Sequence, residues 1–172
     1  MADGAMMTEV VFTPDAANAR SFRDALGRFT TGVTVVTAMT PEGPMGFLAN
    51  SFASVSMDPP LVLWSPAKSS ARFGHFSQAE QYAIHILDAG HADWLPRFAR
   101  GGAGFHGLSH EISENGVPVI HGALARFECT QHATHEGGDH LIVVGRVIRA
   151  AFREGNPMVF SMGSYGGFVP GQ

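Results

Sequence analysis

Residues 122–152 constrain the fold more than any other stretch. GALARFECTQHAT runs into HEGGDH and then LIVVGRVIRAAF. Two long runs rich in alternating and β-branched residues around a glycine-rich turn predict a long antiparallel hairpin. GVTVVTAM, the turn PEGP and MGFLANSFASV read as a second hairpin, and LVLWS and QYAIHIL as further strands. These strands do not alternate with helices in βαβ order. The expectation is therefore a mainly β domain with flanking helices, an antiparallel barrel and not a doubly wound nucleotide-binding sheet.

Helices are expected in three places. Thr13-Pro14-Asp15 precedes AANARSFRDALGRF as a cap, a first-turn proline and an acid, with Phe22, Leu26 and Phe29 on one face to be buried. Residues 69–79 can form a second helix, and HADWLPRFAR a short third one limited by Pro96. With 172 residues and 15% charged residues, the chain suits one domain. That domain is placed at 13–169, after a flexible N-terminus (1–12) and before a tail (170–172). A formal charge of -4 with scattered arginines offers no nucleic-acid footprint. No apolar run reaches membrane-spanning length or forms a signal core, and the lone Cys129 has no partner for a disulfide, so a reducing cytoplasm is expected.

Lys68 is the only lysine beside ten arginines. In SPAKSS it follows a strand end and a rigid turn and precedes Ser69 and Ser70 at an expected helix start. An ammonium, two hydroxyls and free backbone N–H groups there would suit a phosphate, although a plain N-cap beside a solvated lysine has the same sequence. Upstream, Asn50-Ser51-Phe52-Ala53-Ser54 is small and polar, and on a strand it would let a flat ring approach the main chain. Gly102–Gly107 reads GAGFHG, a literal G-x-G-x-x-G. The dinucleotide fingerprint needs a strand before it and a helix after it; here a helix leads in, so the match is read as coincidental.

NSFASVSMDPPLVL, preceded by FRDALGRFTTGVTVVTA and followed by GALARFEC and GGDHLIVVGRV, resembles the short-chain flavin reductases that serve two-component monooxygenases. The resemblance covers about Phe22 to Phe168. It implies an FMN-binding split barrel, a homodimer with flavin near the subunit interface, and NADH- or NADPH-dependent reduction of FMN or FAD for a partner monooxygenase. By that resemblance Asn50, Ser51, Phe52, Ala53 and Ser54 lie beside the isoalloxazine and ribityl chain, and Lys68, Ser69 and Ser70 at the phosphate. Arg97, Phe98 and Phe105 belong to the segments that close over the flavin, Tyr165 to the C-terminal motif at the cofactor, and His140 lies on the nicotinamide side as the one group expected to orient or supply a proton. The chain departs from the family pattern at Ser161-Met162, where an arginine is common, and at Trp64-Ser65-Pro66, where a cysteine-containing step is usual.

Two other readings remain at this stage. A flavin-binding split barrel without rapid reductase activity would carry the same motifs. His132, His135, Glu136, Asp139 and His140 cluster on one hairpin and have the ligand types of a non-haem metal centre. They flank a solvent-facing turn with no second cluster to enclose a metal, so no metal site is expected. His85 and His121 read as sheet residues, and Trp64, Phe73 and Phe76 as barrel packing.

Overall fold

In the computed structural model, which describes residues 9–171, the expected long hairpin is the spine of the molecule. Strand β9 (Ala125–Gly137) pairs with β10 (His140–Phe152) from Ala125↔Phe152 to Gly137↔His140, with two register shifts. Gly138, the first loop residue, takes φ 72°, a left-handed value that a side chain resists. The other elements are β1 (Thr31–Gly32), β2 (Thr34–Thr40), β3 (Gly43–Ala49), β4 (Ala53–Met57), β5 (Pro60–Trp64), β6 (Gln81–Ile86), β7 (His110–Ile112), β8 (Pro118–Ile120), β11 (Met158–Ser161) and β12 (Ser164–Gly167). Helices α1 (Ala19–Leu26), α2 (Phe73–Ser77) and α3 (Trp94–Ala99) are short.

One antiparallel seven-stranded sheet runs in the order β3-β2-β6-β9-β10-β5-β4, with small sheets β1-β11-β12 and β7-β8 beside it. Its two edge strands are consecutive in sequence. Laid flat, six strand spacings would separate β3 from β4 by about 29 Å. The link 50–52 reaches about 14 Å at most, so the sheet has to roll.

β2 is buried on both faces. Val36 and Ala38 pack into a cluster with Phe47, Trp64, Phe76, Tyr82, Ile84 and Val143, while Val33 and Val35 pack the opposite way against Trp94, Phe98, Phe105 and Ile120. Phe47, Trp64 and Phe76 meet edge to face at centroid distances of 5.4–5.7 Å, an arrangement that adds to area burial. Trp64 and Phe76 are thus core packing, and burial raises the Cys129 thiol to about 12, which leaves it an inert hydrophobe. Among the described residues, no helix is long and apolar enough to cross a membrane.

Several local expectations are corrected. α1 begins at Ala19 after Asn18, because Asp15 uses its carboxylate on the N–H groups of Ala17 and Asn18 and so closes a turn ahead of the helix. Phe22, Leu26 and Phe29 are 44%, 60% and 77% exposed in the single chain. The second helix covers only Phe73–Ser77, since Ser70 Oγ accepts the Arg72 N–H in a preceding turn. MGFLANSFASV is two strands broken at residues 50–52. Of segments 1–12 and 170–172, residues 1–8 and 172 lie outside the described residues.

His85 ties the interior together: its Nε2 accepts the Ile120 N–H at 3.0 Å, so its Nδ1 carries the proton and donates to the Val35 carbonyl at 3.1 Å. Burial lowers its pKa to about 4. The folded value lies below the unfolded one, so its contribution is complete above about pH 6.5 and is lost as pH falls toward 4. We expect denaturant stability to fall by about 3 kcal/mol across that window. His85→Gln, which keeps a donor and an acceptor but does not titrate, should flatten that slope in urea melts; an unchanged slope excludes His85 as its source.

Candidate active site

The link between the edge strands β3 and β4, the seam of the sheet, carries the residues expected beside the ring. Asn50, Ala53 and Ser54 are exposed, and Phe52 stacks on Phe127 at 5.8 Å with rings 11° from parallel. Residues 50–52 being a link, the alternation expected from Asn50 is not kept: the strand begins at Ala53, residues 53–55 are all exposed, and its register shifts between Ser54 and Ser56. Ser51 Oγ accepts the Ser65 N–H at 2.9 Å, which fixes the seam against the Ser65–Ser70 turn.

In that turn Lys68 and Ser69 are exposed, and the Lys68 ammonium is held by the Glu136 carboxylate and, at 2.7 Å, the Gly138 carbonyl. The Lys68 N–H donates to the Asp139 carbonyl at 2.9 Å, and Ala67 bridges His140. The turn and the β9–β10 tip are therefore one unit. His140 itself is half-exposed, with Nδ1 2.8 Å from an Asp139 carboxylate oxygen. The carboxylate only accepts, so Nδ1 holds a proton and Nε2 is left for another partner. The same bond is the main cause that lowers the Asp139 pKa. Among the described residues no group of His, Cys, Asp and Glu has metal-site geometry, Glu136 being engaged with Lys68 and Asp139 with His140.

Phe98 and Phe105 are buried core residues, in edge-to-face contact at 5.4 Å. Arg97 reaches the His106 carbonyl at 2.7 Å and Asp93 at 3.8 Å, holding the glycine loop to α3. A Cβ on Gly104 would lie 2.6 Å from Arg97 atoms and one on Gly102 2.7 Å from the Gly46 carbonyl, so close packing explains both glycines. With α3 before the loop and β7 after it, GAGFHG lacks the strand–loop–helix frame of a dinucleotide site.

Arg72 is a structural residue that the sequence did not mark. Its guanidinium donates to the carbonyls of Gly46, Phe98 and Ala99 at 2.7–3.1 Å and lies 4.5 Å over the Phe47 ring. It thereby locks α3 to β3. Its partners are carbonyls from distant segments, which leave no trace in local pattern.

Tyr165 is 47% exposed and lines a cavity of about 220 Å³ with Asn50, Val33 and Phe160. A larger cavity, about 770 Å³, lies between His75, Glu80 and Asn115 and includes none of the residues expected at the flavin. The seam is joined to the turn of Lys68 through Ser51 and Ser65, and that turn to His140 at the hairpin tip.

Residues 26–168 match the family described as "Flavin reductase like domain". The chain belongs to that family. It is 60% identical to FMN reductase (NADH) SmoA of Agrobacterium fabrum strain C58, covering 95% of this chain and 94% of the relative. It is 35% identical to the reductase subunit HsaB of a flavin-dependent monooxygenase from Rhodococcus jostii RHA1, over 98% and 84%. The NADH:FAD oxidoreductase SgcE6 of Streptomyces globisporus C-1027, solved in complex with NAD and FAD fragments, superposes with TM-score 0.85 at 36% identity over 93% and 98%. The donor set fits a flavin reductase: exposed main chain and hydroxyls for a flat ring, a cation for phosphate and an imidazole with one free nitrogen.

Proposed function

We propose that this protein is an NADH-dependent FMN reductase that passes reduced flavin to a separate flavin-dependent monooxygenase. The observation that carries this reading is the end-to-end 60% match to an FMN reductase (NADH), with a monooxygenase reductase subunit among the relatives. The flavin supplies the two-electron acceptor for reduced nicotinamide, and the protein supplies placement. Asn50–Ser54 offer small side chains and backbone to the ring, Lys68 with Ser69 and Ser70 takes the phosphate, and Arg97, Phe98 and Phe105 shape the wall through the packed loop. Tyr165 borders the same seam. His140 presents Nε2 to the nicotinamide side, its ring held by Asp139. The rolled seven-stranded sheet is read as a split barrel.

Purified protein should oxidise NADH only when FMN is supplied, with bleaching of the flavin absorbance under anaerobic conditions. Flavin binding without that bleaching would favour a binding protein over a reductase. Lys68→Ala with Ser70→Ala should weaken FMN binding by about 1 to 3 kcal/mol and leave riboflavin, which lacks phosphate, unchanged in fluorescence titration. Equal losses for the two flavins would remove these residues from the phosphate.

His140→Ala should leave FMN affinity unchanged and cost about 1 to 3 kcal/mol in kcat/KM for NADH, read in anaerobic stopped-flow reduction. Wild-type rates at every NADH concentration would take His140 out of the site.

The open side of the seam is completed by a second copy of the chain. Phe22, Leu26 and Phe29 leave an apolar face exposed, and a flat cofactor is well covered only in a cleft. Sedimentation should give a dimer with flavin bound; a flavin-bound monomer at micromolar concentration contradicts this.

A further inference from the structure

A nicotinamide dinucleotide carries a diphosphate that needs cations, and most cations of this chain are already engaged. Lys68 is taken by the flavin phosphate in the reading above, Arg97 meets Asp93, Arg126 and Arg149 meet Glu128, and Arg153 meets Asp88. Arg72 is spent on three carbonyls and the Phe47 ring. Among the described residues Arg20, Arg23, Arg28, Arg100 and Arg146 make no ion pair. Two of these, Arg23 and Arg28, line the same cavity of about 410 Å³, within the size range of ligand sites.

That cavity has a built wall. Met162 and Gly163 form a two-residue hairpin loop with φ 48° and 80°, and the Met162 N–H donates to the Gly27 carbonyl at 2.9 Å. The loop is thereby docked on the end of α1, beside both arginines. Arg28 Nη1 lies 3.0 Å from the Met162 thioether, a weak acceptor that leaves the guanidinium's capacity for charged partners unused. Asp24 is the one carboxylate in the lining, against two guanidinium groups, so the cavity is net positive in a chain of formal charge -4. Phe160 separates it from the cavity of Asn50 and Tyr165 and lines both. A cationic pocket therefore adjoins the seam.

Resting on the reductase reading, we infer that Arg23 and Arg28 form the seat for the diphosphate of the nicotinamide dinucleotide. Guanidinium forks match phosphate oxygens two at a time, and the adjoining seam receives the nicotinamide. The test is the double variant Arg23→Gln/Arg28→Gln, whose exposed positions keep the core intact. ADP, which carries the diphosphate without nicotinamide, is titrated by calorimetry against flavin-free protein. Steady-state reduction of FMN is then compared for NADH and for 1-benzyl-1,4-dihydronicotinamide, a donor without phosphate.

The variant should lose ADP affinity and raise KM for NADH by about tenfold or more, while its rates with the benzyl donor follow the wild type. Unchanged ADP binding and unchanged KM overturn the assignment, as does an equal loss with both donors. If wild-type protein reduces no flavin with either donor, the reductase reading fails on its own. The ADP titration then decides the seat: binding lost in the variant upholds a diphosphate site, and indifference overturns it.

Discussion

Three residues set the geometry of this protein. Ala49 ends one edge of the seven-stranded sheet, paired with Thr34, and Ala53 begins the other, paired with Leu63. Asn50–Phe52 must join them, and so short a link is compatible only with a rolled sheet. Rolling encloses the Phe47, Trp64 and Phe76 cluster, against which Phe52 packs from the link, and leaves Asn50 exposed beside half-buried Ser51. The same constraint that makes the core also makes the polar seam.

Where one segment dictates its own structure, the sequence was legible. The β9–β10 hairpin, the β-branched β2 and the strand QYAIHIL all appear where periodicity places them, and the likeness to flavin reductases holds across residues 26–168. What local pattern missed was decided by the partner each group takes, whether distant or two residues away. The α1 face reads as buried because Phe22, Leu26 and Phe29 have helical spacing, yet spacing does not say whether the covering surface belongs to the same chain. The helix expected after Lys68 shrank because Ser70 serves a turn instead of a cap. Phe98 and Phe105, which the resemblance puts in segments closing over the flavin, are packed in the core of the single chain.

Charge is arranged by the same logic of position. Glu128 is fully buried, and Arg126, Arg149 and Asn115 gather round it, since a lone buried carboxylate would be costly. His85 solves the interior problem differently, by remaining neutral and bonding at both nitrogens. These inward groups fix sheet against loop. The outward ones, Lys68, Glu136, Asp139 and His140, sit together on the hairpin tip, where solvent makes their pairing inexpensive to rearrange.

That difference bears on the phosphate seat proposed at Lys68. The ammonium already has Glu136 and the Gly138 carbonyl, which at first sight leaves nothing for a ligand. Lys68 and Glu136 are 36% and 77% exposed at the side chain, however, and exposed pairs of this kind contribute only about 0 to 1 kcal/mol. A phosphate carries more charge than the carboxylate and accepts several hydrogen bonds at once, from Ser69 and Ser70 as well as the ammonium. In the proposed seat the exchange would favour the ligand, while the backbone bonds of Lys68 and Ala67 to the tip keep the turn in place. A weakly committed cation on a rigid turn is what the proposed transfer of reduced flavin to a separate enzyme would ask for.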